Sequence, residues 1–183
     1  MKNETVKKTA LTAMLLAIGY ILPFFTGQIH QIGNMLLPMH LPVMLAGLIL
    51  GWQYGLAVGL ILPVTRSLIF GMPMLYPSAV AMSFELATYG AVIGLLYALF
   101  RKKNVAYVLF ALIPSMILGR AVWGCAMTVL LGIKGGAFTF TAFVSGAFLN
   151  DVTVILLQIL LIPAIILLLD KTKVVRFGRT RNP

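Results

Sequence analysis

Residues 36–90 read LLPMHLPVMLAGLILGWQYGLAVGLILPVTRSLIFGMPMLYPSAVAMSFELATYG. The stretch consists of three apolar spans separated by glycine and proline, and two of those spans each carry one full charge, Arg66 and Glu85. A single charge in the hydrocarbon of a bilayer is costly, so such side chains usually face the protein interior or a water-filled cavity. The two charges therefore mark this stretch as the first candidate for a ligand site.

The composition of the whole chain is that of an integral membrane protein. Of its 183 residues, 61% are hydrophobic and only 10% are charged, and the mean hydropathy is +1.03. An ordinary soluble domain has about 25% charged residues. The net charge of +10 therefore indicates basic cytoplasmic loops beside anionic lipid, and not nucleic-acid binding.

Hydropathy and length predict an all-α protein with six membrane-spanning helices, organised as a single domain over residues 1–183. A span needs about 20 apolar residues to cross the bilayer core. The second and third windows are short, which leaves two interpretations: two helices joined by a tight turn at residues 51–54, or one long buried helix. The six windows are Thr9–Phe25, Met35–Leu50, Gly55–Phe70, Pro77–Phe100, Val105–Leu131 and Phe138–Leu169.

Basic residues in the loops predict that both chain ends are cytoplasmic. With six spans and an inner N-terminus, the outer loops contain Lys134 as their one basic residue. The inner segments contain eleven, an asymmetry typical of cytoplasmic loops. These are Lys2, Lys7, Lys8, Arg101, Lys102, Lys103, Lys171, Lys173, Arg176, Arg179 and Arg181.

Polar residues on four different spans are predicted to lie at comparable depth. Counting 1.5 Å per residue from the outer ends places Arg66 about 7 Å deep, Glu85 about 12 Å, and Arg120 and Asn150–Asp151 about 18 to 20 Å. They suggest one polar centre that is reached from outside. Two interpretations remain open: the charges only pair to hold the helices together, or the network also contacts a ligand. An arginine is suited to bind a carboxylate with two hydrogen bonds.

Further candidate ligand contacts come from the first outer loop and from aromatic residues. Residues 26–39 combine polar side chains, among them Gln28 and Asn34, with glycine and apolar residues, which fits either a lid over the outer face or an interfacial loop. His40, between two prolines, is either an interfacial histidine or a ligand contact. Tyr76, Tyr89 and Trp123 are candidates to line an apolar pocket.

The chain lacks the sequence patterns of the common enzymes. It contains no GxxxxGK[ST], HExxH or GxSxG motif, and it has two histidines and one cysteine. We therefore expect no enzymatic activity, no metal and no cofactor, and we expect binding and transport. On the first span, Ala13 and Ala17 are four residues apart, so they leave a flat face on which another helix can pack closely.

The chain resembles the substrate-binding S components of energy-coupling factor (ECF) vitamin transporters. The resemblance rests on length, six spans, the AxxxA pattern and two runs, LPMHLPVMLAGLILG and RSLIFGMPMLYPSAVAMSFELATYG, which are similar to those of the pantothenate-type branch. It implies a prokaryotic cell-membrane protein that binds a vitamin from outside. It also implies that the first helices dock on a transmembrane coupling subunit driven by two ATPases.

Residue by residue, the resemblance implies docking through Ala13 and Ala17 and a polar pocket in the outer halves of the helices. The pocket residues would be His40, Arg66, Glu85, Arg120 and Asn150. Pantothenate is the first choice of ligand, because its carboxylate suits an arginine; pyridoxine or hydroxymethylpyrimidine is the second. A self-sufficient secondary transporter is the alternative from another class, although six spans are few for one and no internal repeat is visible.

Overall fold

A computed structural model describes residues 2–27, 39–100, 105–136, 138–146 and 152–171 of the chain. In these ranges the regular structure is helical, with no strand, which confirms the all-α prediction. Seven α-helices occur there, and a π-helical turn, Leu75–Ala79, leads directly into the fourth. The helices are α1 Lys2–Gly27, α2 His40–Leu50, α3 Trp52–Phe70, α4 Val80–Leu99, α5 Val105–Ile133, α6 Phe140–Val144 and α7 Val152–Lys171.

Within the described ranges, four segments are long and apolar enough to cross a membrane: Glu4–Pro23, Trp52–Phe70, Leu75–Leu99 and Val105–Ile133. Two more apolar segments, His40–Leu50 and Ile155–Leu169, are shorter. These helices confirm a multi-pass membrane protein. The count of six spans and the cytoplasmic position of both ends stay predictions.

Two of the predicted windows differ from the helices in the structure. The second window began at Met35, whereas α2 begins at His40; residues 35–38 lie outside the described ranges. The sixth window was predicted as one span, but its first part contains the separate short helix α6, and its second part is α7. Hydropathy does not distinguish these cases, because short and long helices in apolar surroundings have the same composition.

The tight turn between the second and third windows is confirmed. Gly51 has φ of 108°, a conformation that favours glycine, and it ends α2 where α3 begins. The turn allows both helices to pack against α4.

Helix α4 is the centre of the bundle and packs against α2, α3 and α5. Three glycines allow this close approach: a Cβ on Gly90 would collide with the backbone of Gly55, and one on Gly47 would collide with the carbonyl of Gly90. Helix α2 is held inside, with ten of its 11 residues buried. Helix α1 packs at the edge, with Gly19 against Leu62 of α3.

The end of α5 is closed by a left-handed glycine. Gly135 has φ of 73° and donates its N–H to the carbonyl of Gly132, and the N–H of Gly136 reaches the carbonyl of Leu131, both at 3.0 Å. These paired bonds are the usual closure of a helix by glycine. The C-terminal end of this helix therefore has a defined geometry.

Candidate functional site

The carboxylate of Glu85 is the centre of a buried polar cluster. Its Oε1 accepts a hydrogen bond from the hydroxyl of Tyr89 at 2.8 Å and lies 3.1 Å from Nη1 of Arg120. Nε2 of His40 is 3.9 Å from the same oxygen. Glu85 is 2% exposed, His40 1% and Arg120 5%, so all three ionisable groups are removed from the surface. Helices α2, α4 and α5 thus bring their polar groups to one carboxylate oxygen.

The cluster forms because each helix turns one polar position inward. Glu85 and Tyr89 are four residues apart on α4, which places their side chains on the same face. Gly119 on α5 leaves room for the ring of Tyr89, since a Cβ there would collide with that ring. The rings of His40 and Tyr89 are 5.4 Å apart between centroids. These distances agree with the prediction that Glu85 and Arg120 lie in one polar centre, and His40, which the resemblance assigns to the same pocket, lies beside them.

The buried charges are tolerable because they are paired. Removing two ions from water costs several kcal/mol each, which their attraction offsets only when geometry and additional hydrogen bonds are good. Here the guanidinium contact and the tyrosine hydroxyl satisfy the same carboxylate oxygen. The charges of Glu85 and Arg120 thus cancel within the bundle.

Beside the cluster lies a cavity of about 190 Å³. Its wall contains the three ionisable groups of the cluster together with residues of the π-helical turn Leu75–Ala79, of α4 and α5, and of the segment after α6. The lining residues are His40, Ser78, Met82, Glu85, Arg120, Trp123, Met127 and Gly146. The cavity wall thus has charged and polar groups together with apolar and aromatic side chains.

Trp123 forms the aromatic wall of this cavity. Its ring contacts the edge of Phe138 at a centroid distance of 5.8 Å and stacks near Phe143 at 6.5 Å. Gly146 lies against the outer edge of the same indole ring, where a Cβ would be 3.0 Å from it. The indole is thus held in place by its neighbours and presents an ordered surface to the cavity.

Arg66 does not share this cavity. Its Nη1 donates to the backbone carbonyl of Tyr20 on α1 at 3.1 Å, and its guanidinium carbon is 5.6 Å from the ring centroid of Phe70. Among the described residues that line the cavity Arg66 is not found. The expectation of a common centre with Glu85 is therefore corrected: comparable depth did not specify which way α3 is rotated, and its packing directs Arg66 to α1.

Two residues of the predicted centre, Asn150 and Asp151, and two candidate contacts of the first loop, Gln28 and Asn34, lie outside the described ranges. Their roles stay predictions.

Sequence reasoning missed Ser78, Met82 and Met127 as cavity residues. A signal for them exists, because Ser78, Met82 and Glu85 follow one another at spacings of four and three residues. Arg120, Trp123 and Met127 have the reverse pattern, three and then four. Such spacing places side chains on one helix face, so extending each stripe from its charged member identifies the lining.

The two alanines of the predicted docking face are exposed on α1. Ala13 and Ala17 face outward together with Met14 and Ile18, while Leu15 on the other side of the helix is buried. Their position leaves the small-residue face accessible to another helix. In the described part of the chain no group of three or more His, Cys, Asp or Glu side chains is placed to hold a metal ion.

A family model for the substrate-specific component of ECF transporters matches residues 7–167. The comparisons with curated proteins and with solved structures found no match. Components of this family bind a small substrate and work with a membrane coupling subunit and ATPases, which is a transport role. Because the match covers most of the chain, including every helix that carries the polar cluster, the chain belongs to the ECF transporter substrate-specific component family.

Proposed function

We propose that this chain captures a small water-soluble vitamin at the outer face of a prokaryotic cell membrane. The captured vitamin is then imported by a separate transmembrane coupling subunit with two ATPases. The observation that carries the proposal is the cavity beside Glu85, Arg120 and His40, which places hydrogen-bonding and charged groups inside an apolar bundle. Buried ionisable groups of this kind in membrane proteins usually mark a substrate path.

Pantothenate is our first choice of substrate. A guanidinium is a planar group with five N–H donors that suits a carboxylate. The guanidinium of Arg120 lies on the cavity wall, so it can be approached by the carboxylate of a ligand in the cavity. The hydroxyl groups of pantothenate suit the carboxylate of Glu85 and the hydroxyl of Ser78, which both line the cavity.

Pyridoxine or hydroxymethylpyrimidine is the second choice, favoured by Trp123. An ordered indole wall suits a flat heteroaromatic ring, because aromatic rings gain from stacking beyond the area they bury. The positive charge of Arg120 is paired with the negative charge of Glu85, and this neutral pair suits an uncharged ligand.

The size of the cavity favours a compact ligand in either case. Pockets for drug-sized molecules have volumes of about 300 to 1,000 Å³, and this cavity has about 190 Å³. One ring or a short chain fits this volume better than a three-ring vitamin such as riboflavin does. A ligand panel should therefore separate small from large vitamins as well as acids from neutral compounds.

The test is calorimetry with the purified chain in detergent against pantothenate, pyridoxine, hydroxymethylpyrimidine, riboflavin, thiamine and biotin. We expect one-to-one binding of a single compact member, pantothenate first. Binding of pyridoxine or hydroxymethylpyrimidine instead would identify the second choice as the substrate. A folded protein that binds none of the six would contradict the proposal of vitamin capture.

Arg120 and Arg66 form a matched pair for locating the site. Arg120→Lys keeps a positive charge but loses the planar donor pair, so we expect ligand affinity to fall about tenfold or more. Arg66→Lys should bind like the parent, because Arg66 contacts Tyr20 and is not found on the cavity wall. Equal loss in both variants would place the ligand elsewhere. A melting curve for each variant shows whether the fold is intact.

A self-sufficient secondary transporter is tested by uptake into vesicles that contain this chain alone. An ion gradient without ATPases should drive no accumulation. Accumulation under these conditions would contradict dependence on a coupling module.

A further inference from the structure

The segment between α3 and α4 is tied down at both ends. At its start, the hydroxyl of Ser67 donates to the carbonyl of Pro73 at 2.6 Å. At its end, the N–H of Ala79 donates to the carbonyl of Met74 at 2.9 Å, which closes the π-helical turn Leu75–Ala79. Tyr76 lies within this turn and has extended backbone angles, φ −123° and ψ 129°. Its side chain is directed away from its own turn and reaches α5.

The hydroxyl of Tyr76 donates a hydrogen bond to the backbone carbonyl of Leu130 in the last turn of α5. At that helix end the N–H of Lys134 donates to the carbonyl of Leu131 at 3.0 Å. In a regular α-helix this N–H would donate to the carbonyl of Leu130. Carbonyl groups in the last turn of a helix need partners from outside the helix. Tyr76 supplies one of them.

Lys134 also contacts the ring of Tyr76. Its ammonium nitrogen is 4.7 Å from the centroid of the Tyr76 ring, within the range of a cation–π interaction. The lysine is exposed, so this contribution is small. The hydrogen bond to Leu130 is the part of the contact that specifies the position of the ring.

The turn matters for the cavity because Ser78 belongs to it. Ser78 lies two residues after Tyr76 and lines the cavity together with Trp123 and Arg120 of α5. Tyr76 therefore joins the wall supplied by the turn to the helix that supplies the opposite wall.

We propose that Tyr76 is a positioning residue of the binding cavity. By holding the turn Leu75–Ala79 against the outer end of α5, its hydroxyl keeps Ser78 on the wall and restricts access from the aqueous side to Trp123. This inference rests on the proposed function only in taking the cavity as the ligand site. The closing of the cavity wall itself can be measured without any ligand.

The first experiment uses Trp123 as a reporter. The chain contains two tryptophans, so Trp52→Phe leaves Trp123 as the only one. In this background Tyr76→Phe removes the hydroxyl and retains the ring beside Lys134. We expect acrylamide to quench Trp123 more strongly, because loss of one hydrogen bond shifts the opening equilibrium of the turn about fivefold. Pantothenate, if bound by the parent, should dissociate about threefold to tenfold faster.

Tyr107→Phe is the matched control. Tyr107 packs on Phe100 at a centroid distance of 4.7 Å, near the start of α5, and its hydroxyl has no part in the turn. This variant should leave both quenching and dissociation unchanged. Ser67→Ala is the second test variant, because it releases the same segment from α3, and it should also raise quenching.

Quenching equal to that of the parent in both Tyr76→Phe and Ser67→Ala, with unchanged melting temperatures, would overturn the inference. Raised quenching in a protein that binds no pantothenate would support the positioning role and contradict the ligand choice alone. If Tyr76→Phe does not fold, Ser67→Ala decides: raised quenching of Trp123 supports the inference, and unchanged quenching overturns it.

Discussion

Removing the charge of Glu85 tests whether the buried pair holds the bundle or serves the ligand. The change is Glu85→Gln, which keeps the shape of the side chain and one oxygen to accept the Tyr89 hydroxyl. It removes the negative charge 3.1 Å from Arg120, which is 5% exposed. Breaking a buried pair from one side costs about 3 to 5 kcal/mol. We expect the lower figure, about 3 kcal/mol, because the hydrogen bond from Tyr89 remains.

That free energy converts into a measurable shift of the melting temperature. For a chain of this length, a loss of 1 kcal/mol lowers the melting temperature by about 2 to 4 °C. Glu85→Gln should therefore melt about 6 to 12 °C below the parent in the same detergent. Thr88→Val is the control on the same helix, since the Thr88 hydroxyl only donates to the carbonyl of Phe84 at the exposed side. It should melt within about 2 °C of the parent.

The double variant Glu85→Leu with Arg120→Met separates the two interpretations. Replacing both members of a buried pair by apolar residues is often neutral or stabilising, so the melting temperature should return close to that of the parent. Ligand binding should be lost, because the polar wall of the cavity is gone. A double variant that is stable and binds the ligand with parental affinity would show that the pair only holds the helices. Glu85→Gln with parental stability would refute the energetic reasoning itself.

Three further predictions concern docking, packing and topology. Ala13→Leu with Ala17→Leu should leave ligand binding intact and abolish uptake by the assembled transporter. Both alanines are exposed, so bulky side chains there would block the small-residue face. Loss of ligand binding would show instead that the two alanines pack inside the protein. Gly90→Ala should lower the melting temperature by about 4 °C or more, because the added Cβ would collide with the backbone of Gly55. Gly132→Ala is the control, since Gly132 has open space around it and its melting temperature should not change. Equal melting temperatures of the two variants would contradict the close packing at Gly90. Impermeant thiol labelling of a cysteine added at each chain end should find both ends on the cytoplasmic side, and ends on opposite sides would exclude an even number of spans.

Several properties could be predicted from the sequence because they depend on local composition. The low charge content and apolar windows indicate a membrane protein whatever the packing of its helices. The rarity of charge in those windows also singled out Glu85 and Arg120, which the structure joins at 3.1 Å. Gly51 and the aromatic residues after it indicated the turn between α2 and α3, since a left-handed position needs glycine.

The rotation of each helix about its axis could not be predicted in the same way. Arg66 and Glu85 were predicted to meet because they lie at similar depth, yet Arg66 reaches Tyr20 on α1. Depth follows from counting residues along one helix, whereas rotation follows from contacts between helices. Those contacts include the fit of Gly90 against Gly55, which no single segment reveals.

The sequence by itself therefore determined the membrane location, the helical class, the transporter family and the charged residues that need buried partners. Only the tertiary structure decided which of these residues share a cavity, that Trp123 forms its aromatic wall, and that Tyr76 bonds to the end of α5. The physical reason is that the two kinds of property depend on different parts of the chain. Hydropathy and charge are properties of each segment, while a cavity wall exists only after close packing has fixed how the segments face one another.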